Sequence, residues 1–450
     1  MRGGRVRSLL AAACLAALAA CAQTPGAEGP PPAAVRFAPV GLPRGVARSN
    51  ADLAQDFLDL TFALESGEKL DRLLRYEAPV RVSVTGLDPY IPDLQALLAR
   101  LRDEAGVDIA LTSDPKAAQI HVEGVTAAGL ARVFPTAACF IVPGETNWRA
   151  FLRRRGETRL RWGDQRELGV AAIFVPYDGI PQDVRDCLHE EITQALGPAN
   201  DLYRLPDSIW NDDNLHSIAT PFDMLVLRAL YQPELASGMT RDEVAARLPA
   251  ILARENPKGR GVPRQARHPE SRAWASAIEV AQAPRASRED RLSAARQATR
   301  IAAEMRPTDH RLAVSLLTLG RLTLRRDPGE AARYFAEAYD VSRRRLGTGD
   351  LRTAHAGVHV AAVALAAGRY ETTITLADRH IPAARQGQNA ILLAGLLSLK
   401  SEALLALGRT EEARKTRIDS LSWARYGFGD DDGTLAREQA ALAALRLDRD

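Results

Sequence analysis

Aromatic side chains are sparse in this chain: Phe, Trp and Tyr together make 5% of 450 residues, and the five tryptophans define no stripe. Neither sign of charge dominates, since 59 Lys and Arg stand against 56 Asp and Glu. No basic run is interleaved with aromatics, so the sequence lacks the electrostatic track and stacking platform that a nucleic-acid partner requires. The glycine-rich phosphate loop, the nucleophile elbow and the dinucleotide fingerprint are all missing. Cysteine is scarce, four in all. The apolar run Leu9 to Ala20 is too short to span a bilayer.

That short run has a different use. Arg2, Arg5 and Arg7 precede it and Leu18-Ala19-Ala20-Cys21 closes it, a pattern that looks like a lipoprotein signal with its lipobox. Residues 1–20 are then the signal peptide, and Cys21 is the lipidated residue that anchors the chain to a membrane. Ala22, in the position after the lipidated cysteine, favours the outer membrane under the bacterial sorting rule, so the expected location is the periplasmic face of the envelope. Losing three arginines with the signal leaves the mature chain formally neutral. Residues 21–48, rich in Pro, Gly and Ala around Gly29-Pro30-Pro31-Pro32, read as a disordered or extended tether. With Cys14 in the signal and Cys21 lipidated, Cys139 and Cys187 remain. An isolated pair in an exported chain reads as one disulfide.

Residues 49–255 read as an α+β domain over a mixed sheet. Ala51 to Leu64 and Ile91 to Glu104 are amphipathic helices, and Leu70 to Arg75 is an apolar cluster. Val80–Thr85, Val107–Leu111, Ala118–Val122 and Ala171–Pro176 are strands. After the last strand, Val184, Leu188, Ile192 and Leu196 recur every fourth residue, which makes a helix with one buried stripe. Glu190 and Gln194 lie one above the other on it, and Gly197-Pro198 stops it.

The spacing along this helix resembles the metzincin zinc-peptidase motif, His-Glu-x-x-His-x-x-Gly-x-x-His, with the frame kept and the histidines replaced. Glu190 takes the first ligand position, Glu191 the general base, Gln194 the second ligand, Gly197 the turn glycine and Asn200 the third ligand. Ser208-Ile209-Trp210 is similar to a Met-turn with Trp for Met, and Thr220 to Asp223 leading to Leu230-Tyr231 looks like the closing helix of the matrixins. The run, with Asp201 and Asp212 included, also resembles an uncharacterised bacterial domain family of unknown function. The resemblance implies a zincin-like α+β domain with a central motif helix. Zinc prefers His, Cys and carboxylate ligands, whereas Gln194 and Asn200 are neutral amides. His189 points about 100° of helix rotation away from Glu190 and cannot replace a lost ligand. The expected state is therefore a hydrogen-bonded polar network without a cofactor. The alternative is a metal-dependent peptidase holding Zn on Glu190, Gln194 and Asn200, with Glu191 as base. Burial of Glu190 beside Glu191 should raise at least one carboxyl pKa. Asn211 to Asn214 lacks the spaced Gly and terminal Glu of a calcium loop, and Asx-turn chemistry accounts for it.

Residues 256–270 form a Pro- and Arg-rich linker. Beyond it, residues 271–450 are Ala-, Leu- and Arg-rich with helical periodicity. Segments beginning at Asp327, Gly368 and Gly408 repeat at intervals of 41 and 40 residues, with a fainter copy at Ser287. They resemble tetratricopeptide repeats of the longer kind, which stack into a superhelix; Tyr426 to Asp450 would supply a polar terminal cap. His310, His355, His359 and His380 fall here as packing or solvated histidines, although His355 and His359 have a metal-clamping spacing. The expected function is a lipid-anchored, non-catalytic binding or scaffold protein whose repeats hold a protein or peptide partner.

Overall fold

The computed structural model describes residues 35–38, 45–135, 137–211, 215–266, 269–283 and 285–429. The expected signal peptide, Cys21, Asp212 and the chain beyond Gly429 lie outside the described residues. The first part is an α/β domain built on a mixed five-stranded sheet, and an all-helical region follows it. Both sit in one compact unit, Val35–Asp450.

The sheet comprises β1 (Val80–Thr85), β2 (Ile109–Leu111), β3 (Ile120–Val125), β4 (Phe140–Pro143) and β5 (Ala171–Pro176), in the order β2-β1-β3-β5-β4. β1 is parallel to β2 and β3, β3 is parallel to β5, and β4 closes one edge antiparallel to β5. The six apolar residues of β5 are all buried, because this strand is covered on both faces. Ile173 and Val175 face the main core with Val82, Ile120 and Val122. Ala172 and Phe174 face a second, smaller core, where Phe140, Trp148 and Phe151 gather around the Phe174 ring at centroid distances of 5.0–5.5 Å.

Helices α1 (Asn50–Thr61) and α2 (Ile91–Ala105) form on the expected stripes; Leu94, Leu97, Leu98 and Leu101 are all buried. Two short helices, α3 (Ala127–Val133) and α4 (Trp148–Arg154), cover the aromatic cluster. Two features are absent from the sequence reading. β4 is a strand the periodicity does not disclose, since four residues leave no room for an alternation. The Leu70–Arg75 cluster is irregular; its backbone exchanges hydrogen bonds with Gly238 and Met239 instead of forming a helix. The motif helix α5 (Pro181–Ala195) follows β5, then come α6 (Pro221–Leu230) and α7 (Arg241–Glu255).

The helical region runs from α8 (Arg272–Gln282) through α9 (Arg288–Glu304), α10 (His310–Thr323), α11 (Pro328–Leu346), α12 (Leu351–Ala366), α13 (Tyr370–Gln386), α14 (Ala390–Ala406) and α15 (Thr410–Phe428). Neighbouring helices pack through alanines and glycines. A Cβ on Gly320 would stand 2.6 Å from the Phe335 ring, so this crossing needs glycine. The repeat is visible in the caps: Asp309, Asp350 and Asn389 are N-caps of α10, α12 and α14, 41 and 39 residues apart. Arg311 and Arg352, each two residues after its capping aspartate, also pair with it.

Residues 45–48, part of the expected tether, are bonded to the α/β domain, Val46 N–H to Asn256 and Arg48 to Asp56 and Asp207. Phe37 stacks on Trp423 of α15 at 4.3 Å. Among the described residues, no helix is long and apolar enough to cross a membrane.

Candidate functional site

Helix α5 is held at its start, its middle and its end. At its start, Gln182 Oε1 accepts from the Ala390 N–H of α14 at 3.0 Å, and the Arg185 guanidinium lies 3.8 Å from the centre of the Tyr426 ring. In its middle, Cys187 forms the expected disulfide with Cys139, which precedes β4, and so ties the helix to the sheet edge. Val184, Leu188, Ile192 and Leu196 are all buried in the main core. At its end, Gly197 adopts a φ of +140°, and a Cβ there would stand 2.7 Å from the Leu74 carbonyl. Only glycine fits this turn.

The motif side chains form an internal network. Gln194 Nε2 donates to both carboxylate oxygens of Asp201 at 3.0 and 2.9 Å. Asn200 Nδ2 donates to the Asp59 carbonyl of α1 at 2.8 Å. Trp210, fully buried, donates its indole N–H to Thr193 Oγ1 at 2.9 Å, and that hydroxyl donates on to the His189 carbonyl at 2.8 Å. Asp223 accepts from Ser208 Oγ at 2.6 Å, from Ile209 N at 3.0 Å and from Thr220 N at 2.7 Å. The last contact belongs to a capping box that starts α6. Tyr231 donates its hydroxyl to the Leu196 carbonyl at 3.0 Å. Burial raises the Asp223 pKa against the pull of its donors.

Glu191 differs from its neighbours. It is 5% exposed, and its Oε2 is buried without a hydrogen-bond partner. Burial pushes its pKa up to about 8, so at neutral pH it is a neutral acid. His189, two residues earlier and also buried, is pushed down to about 3 by burial, and its Nδ1 accepts from Ala219 N–H at 3.3 Å. A neutral imidazole accepting a backbone hydrogen bond is a structural strut between α5 and the approach to α6.

These contacts do not fit a zinc ion. The amide groups of Gln194 and Asn200 are turned as donors toward different elements, Asp201 and α1. Among the described residues, no group of three or more His, Cys, Asp or Glu side chains could hold a metal ion. The base position is sealed and protonated. Of the motif residues, Asn200 lines a cleft of about 730 Å³ that runs past Leu58, Phe62, Leu70 and Leu202. Two of its arginines are paired: Arg204 with Asp56 and Asp59, and Arg241 with Asp59. Sequence reasoning missed Thr193 and Asp59, the acceptors that orient Trp210 and Asn200. The alternation of buried and exposed positions on a helix does not reveal which backbone carbonyl an amide will meet.

The four histidines of the helical region pack. His310 Nε2 donates to the Tyr203 carbonyl at 2.6 Å, His359 stacks on Phe335 at 4.5 Å, and His380 lies edge-on to Tyr339 at 5.5 Å. His355 is pushed down to about 3 by burial and is neutral.

Residues 50–250 match a family model described as a protein of unknown function, DUF2927. This agrees with the resemblance to an uncharacterised domain family. No curated protein matches the chain.

Proposed function

We propose that this protein is a lipid-anchored, non-catalytic binding protein of the bacterial envelope. In this reading Cys21 carries the lipid, and the α/β domain is a zincin-like fold that has kept the frame of the peptidase motif without its chemistry. The helical region is a tetratricopeptide-like superhelix that holds a protein or peptide partner. One observation carries the reading. At the position where a peptidase needs an ionised, water-accessible base, Glu191 is buried and protonated. The amides of Gln194 and Asn200 are committed as hydrogen-bond donors, which supports the same conclusion.

The test is metal content and zinc titration of the purified full chain. The expected result is no bound metal and no saturable uptake at tens of micromolar zinc. Stoichiometric zinc, or submicromolar binding abolished by Glu190→Ala, would overturn the proposal and restore the metallopeptidase with Glu191 as base.

A further inference from the structure

The helical region contains a second concavity, of about 730 Å³, where α8, α9 and the end of α10 meet Leu215 of the α/β domain. Four arginines line it: Arg288 and Arg291 from the first turn of α9, Arg321 from the last turn of α10, and Arg325 just beyond. Among the described residues, no acidic side chain pairs with any of the four. Three are held in place by uncharged acceptors: Arg288 by the Leu322 carbonyl at 3.2 Å, Arg291 by the Ala281 carbonyl at 3.0 Å and Arg321 by His359 Nε2 at 3.1 Å. For the last contact His359 must be neutral; burial lowers its pKa well below the ordinary value, which keeps it so. Arg288, Arg321 and Arg325 are exposed and Arg291 is partly buried, so the four guanidinium groups are open to a ligand.

Oriented guanidinium groups gathered in one concavity without acidic partners make a positive patch that a ligand carrying carboxylates complements. We infer that this concavity binds an acidic peptide segment, whose carboxylates pair with Arg288, Arg291, Arg321 and Arg325. The geometry favours an extended chain over a compact phosphate. The two arginines on each helix end are about one helical turn apart, roughly 6 Å. Alternate side chains of an extended peptide lie roughly 6.6 Å apart on one face. The remaining lining, Leu215, Leu322 and Thr318 among it, gives the intervening atoms an apolar and hydroxyl surface rather than a cradle of backbone N–H groups. The inference rests on the reading of the helical region as the partner-binding surface, and it names the chemistry of that partner.

The experiment is fluorescence anisotropy of the full chain with a short labelled peptide alternating Glu and Thr, beside its Gln-for-Glu counterpart. The Glu peptide should bind and the Gln peptide should not. Arg321→Gln and Arg325→Gln should each weaken binding about tenfold or more, the scale of a charge-assisted hydrogen bond. Equal binding of the two peptides, or unchanged affinity in both variants, overturns the inference. Inorganic pyrophosphate or heparin displacing the peptide at concentrations far below its own would reassign the site to a phosphate or an anionic polysaccharide. These outcomes are independent of zinc binding, so failure here is separable from failure of the non-catalytic reading.

Discussion

Replacing Glu191 by Gln isolates the state of the buried carboxyl. Its folded pKa is about 8, against about 4.5 for an ordinary glutamate. The folded protein therefore holds a proton that the unfolded chain releases between those two values. Stability contributed by this group falls as pH rises from about 4.5, and the loss is complete above about 8. At about 1.4 kcal/mol per unit, the penalty at pH 7 is roughly 3 kcal/mol as an upper figure. Gln has nearly the shape of the protonated acid and cannot ionise, so the variant removes the pH-dependent part and leaves the packing.

The assay is urea denaturation of both proteins from pH 5 to pH 9, followed by tryptophan fluorescence. Trp210 is fully buried and hydrogen-bonded to the motif helix, so it reports on that element directly. Asp186, also pushed up to about 8 by burial, titrates in both proteins and cancels in the difference. The stability of Glu191→Gln relative to wild type should grow with pH by several kcal/mol, roughly 3–4 between pH 5 and pH 8. A difference that stays constant with pH would refute the protonated, sealed carboxyl. With it would go the main argument against a catalytic base.

Four further outcomes are expected. Cys139→Ala with Cys187→Ala opens a loop whose ends are 48 residues apart, which should cost about 4 kcal/mol in the chain-entropy model and appear as a lower urea midpoint. Asp223→Asn turns an acceptor of three donors into a group with a donor of its own, and should cost roughly 2–4 kcal/mol by the same measurement. Gly197→Ala forces a Cβ toward the Leu74 carbonyl and should lower the thermal midpoint by several degrees, roughly 2 kcal/mol. Finally, His189 and His310, whose folded values of about 3 and 4 lie below the ordinary one, contribute stability above about pH 6.5 that is lost on acidification. His189→Gln should therefore flatten the acid limb of a stability–pH curve below pH 6.

Long periodic elements were legible in the sequence because burial writes itself at fixed intervals. The stripe of α5, the apolar β5 and the leucines of α2 could be read directly, and so could the pairing of the last two cysteines. The short β4 strand could not, because four residues carry too little pattern. Nor could the irregular path of Leu70–Arg75, whose backbone partners lie more than 160 residues away at Gly238 and Met239. The arginine concavity was hidden for another reason. Arg288, Arg291, Arg321 and Arg325 look like any solvated charges until helix stacking places two pairs from different helices around one hollow.

The motif shows a sharper limit. Ser208, Trp210, Thr220 and Asp223 match the surroundings of a peptidase site, and each has a folding role that explains its presence without catalysis. Ser208 and Thr220 feed the Asp223 carboxylate, Asp223 caps α6, and Trp210 locks Thr193 on α5. Those contacts would hold α5 in the same place whether or not its motif positions carried histidines. In the proposed zincin-like reading the frame reports the fold, and only the ligand and base positions could report the chemistry. There Gln194 and Asn200 act as donors, and the Glu191 carboxyl is shut away from water. The start of the same helix meanwhile offers Gln182 and Arg185 to α14 and Tyr426. A helix that in a peptidase would face substrate is here a brace between the α/β domain and the helical region.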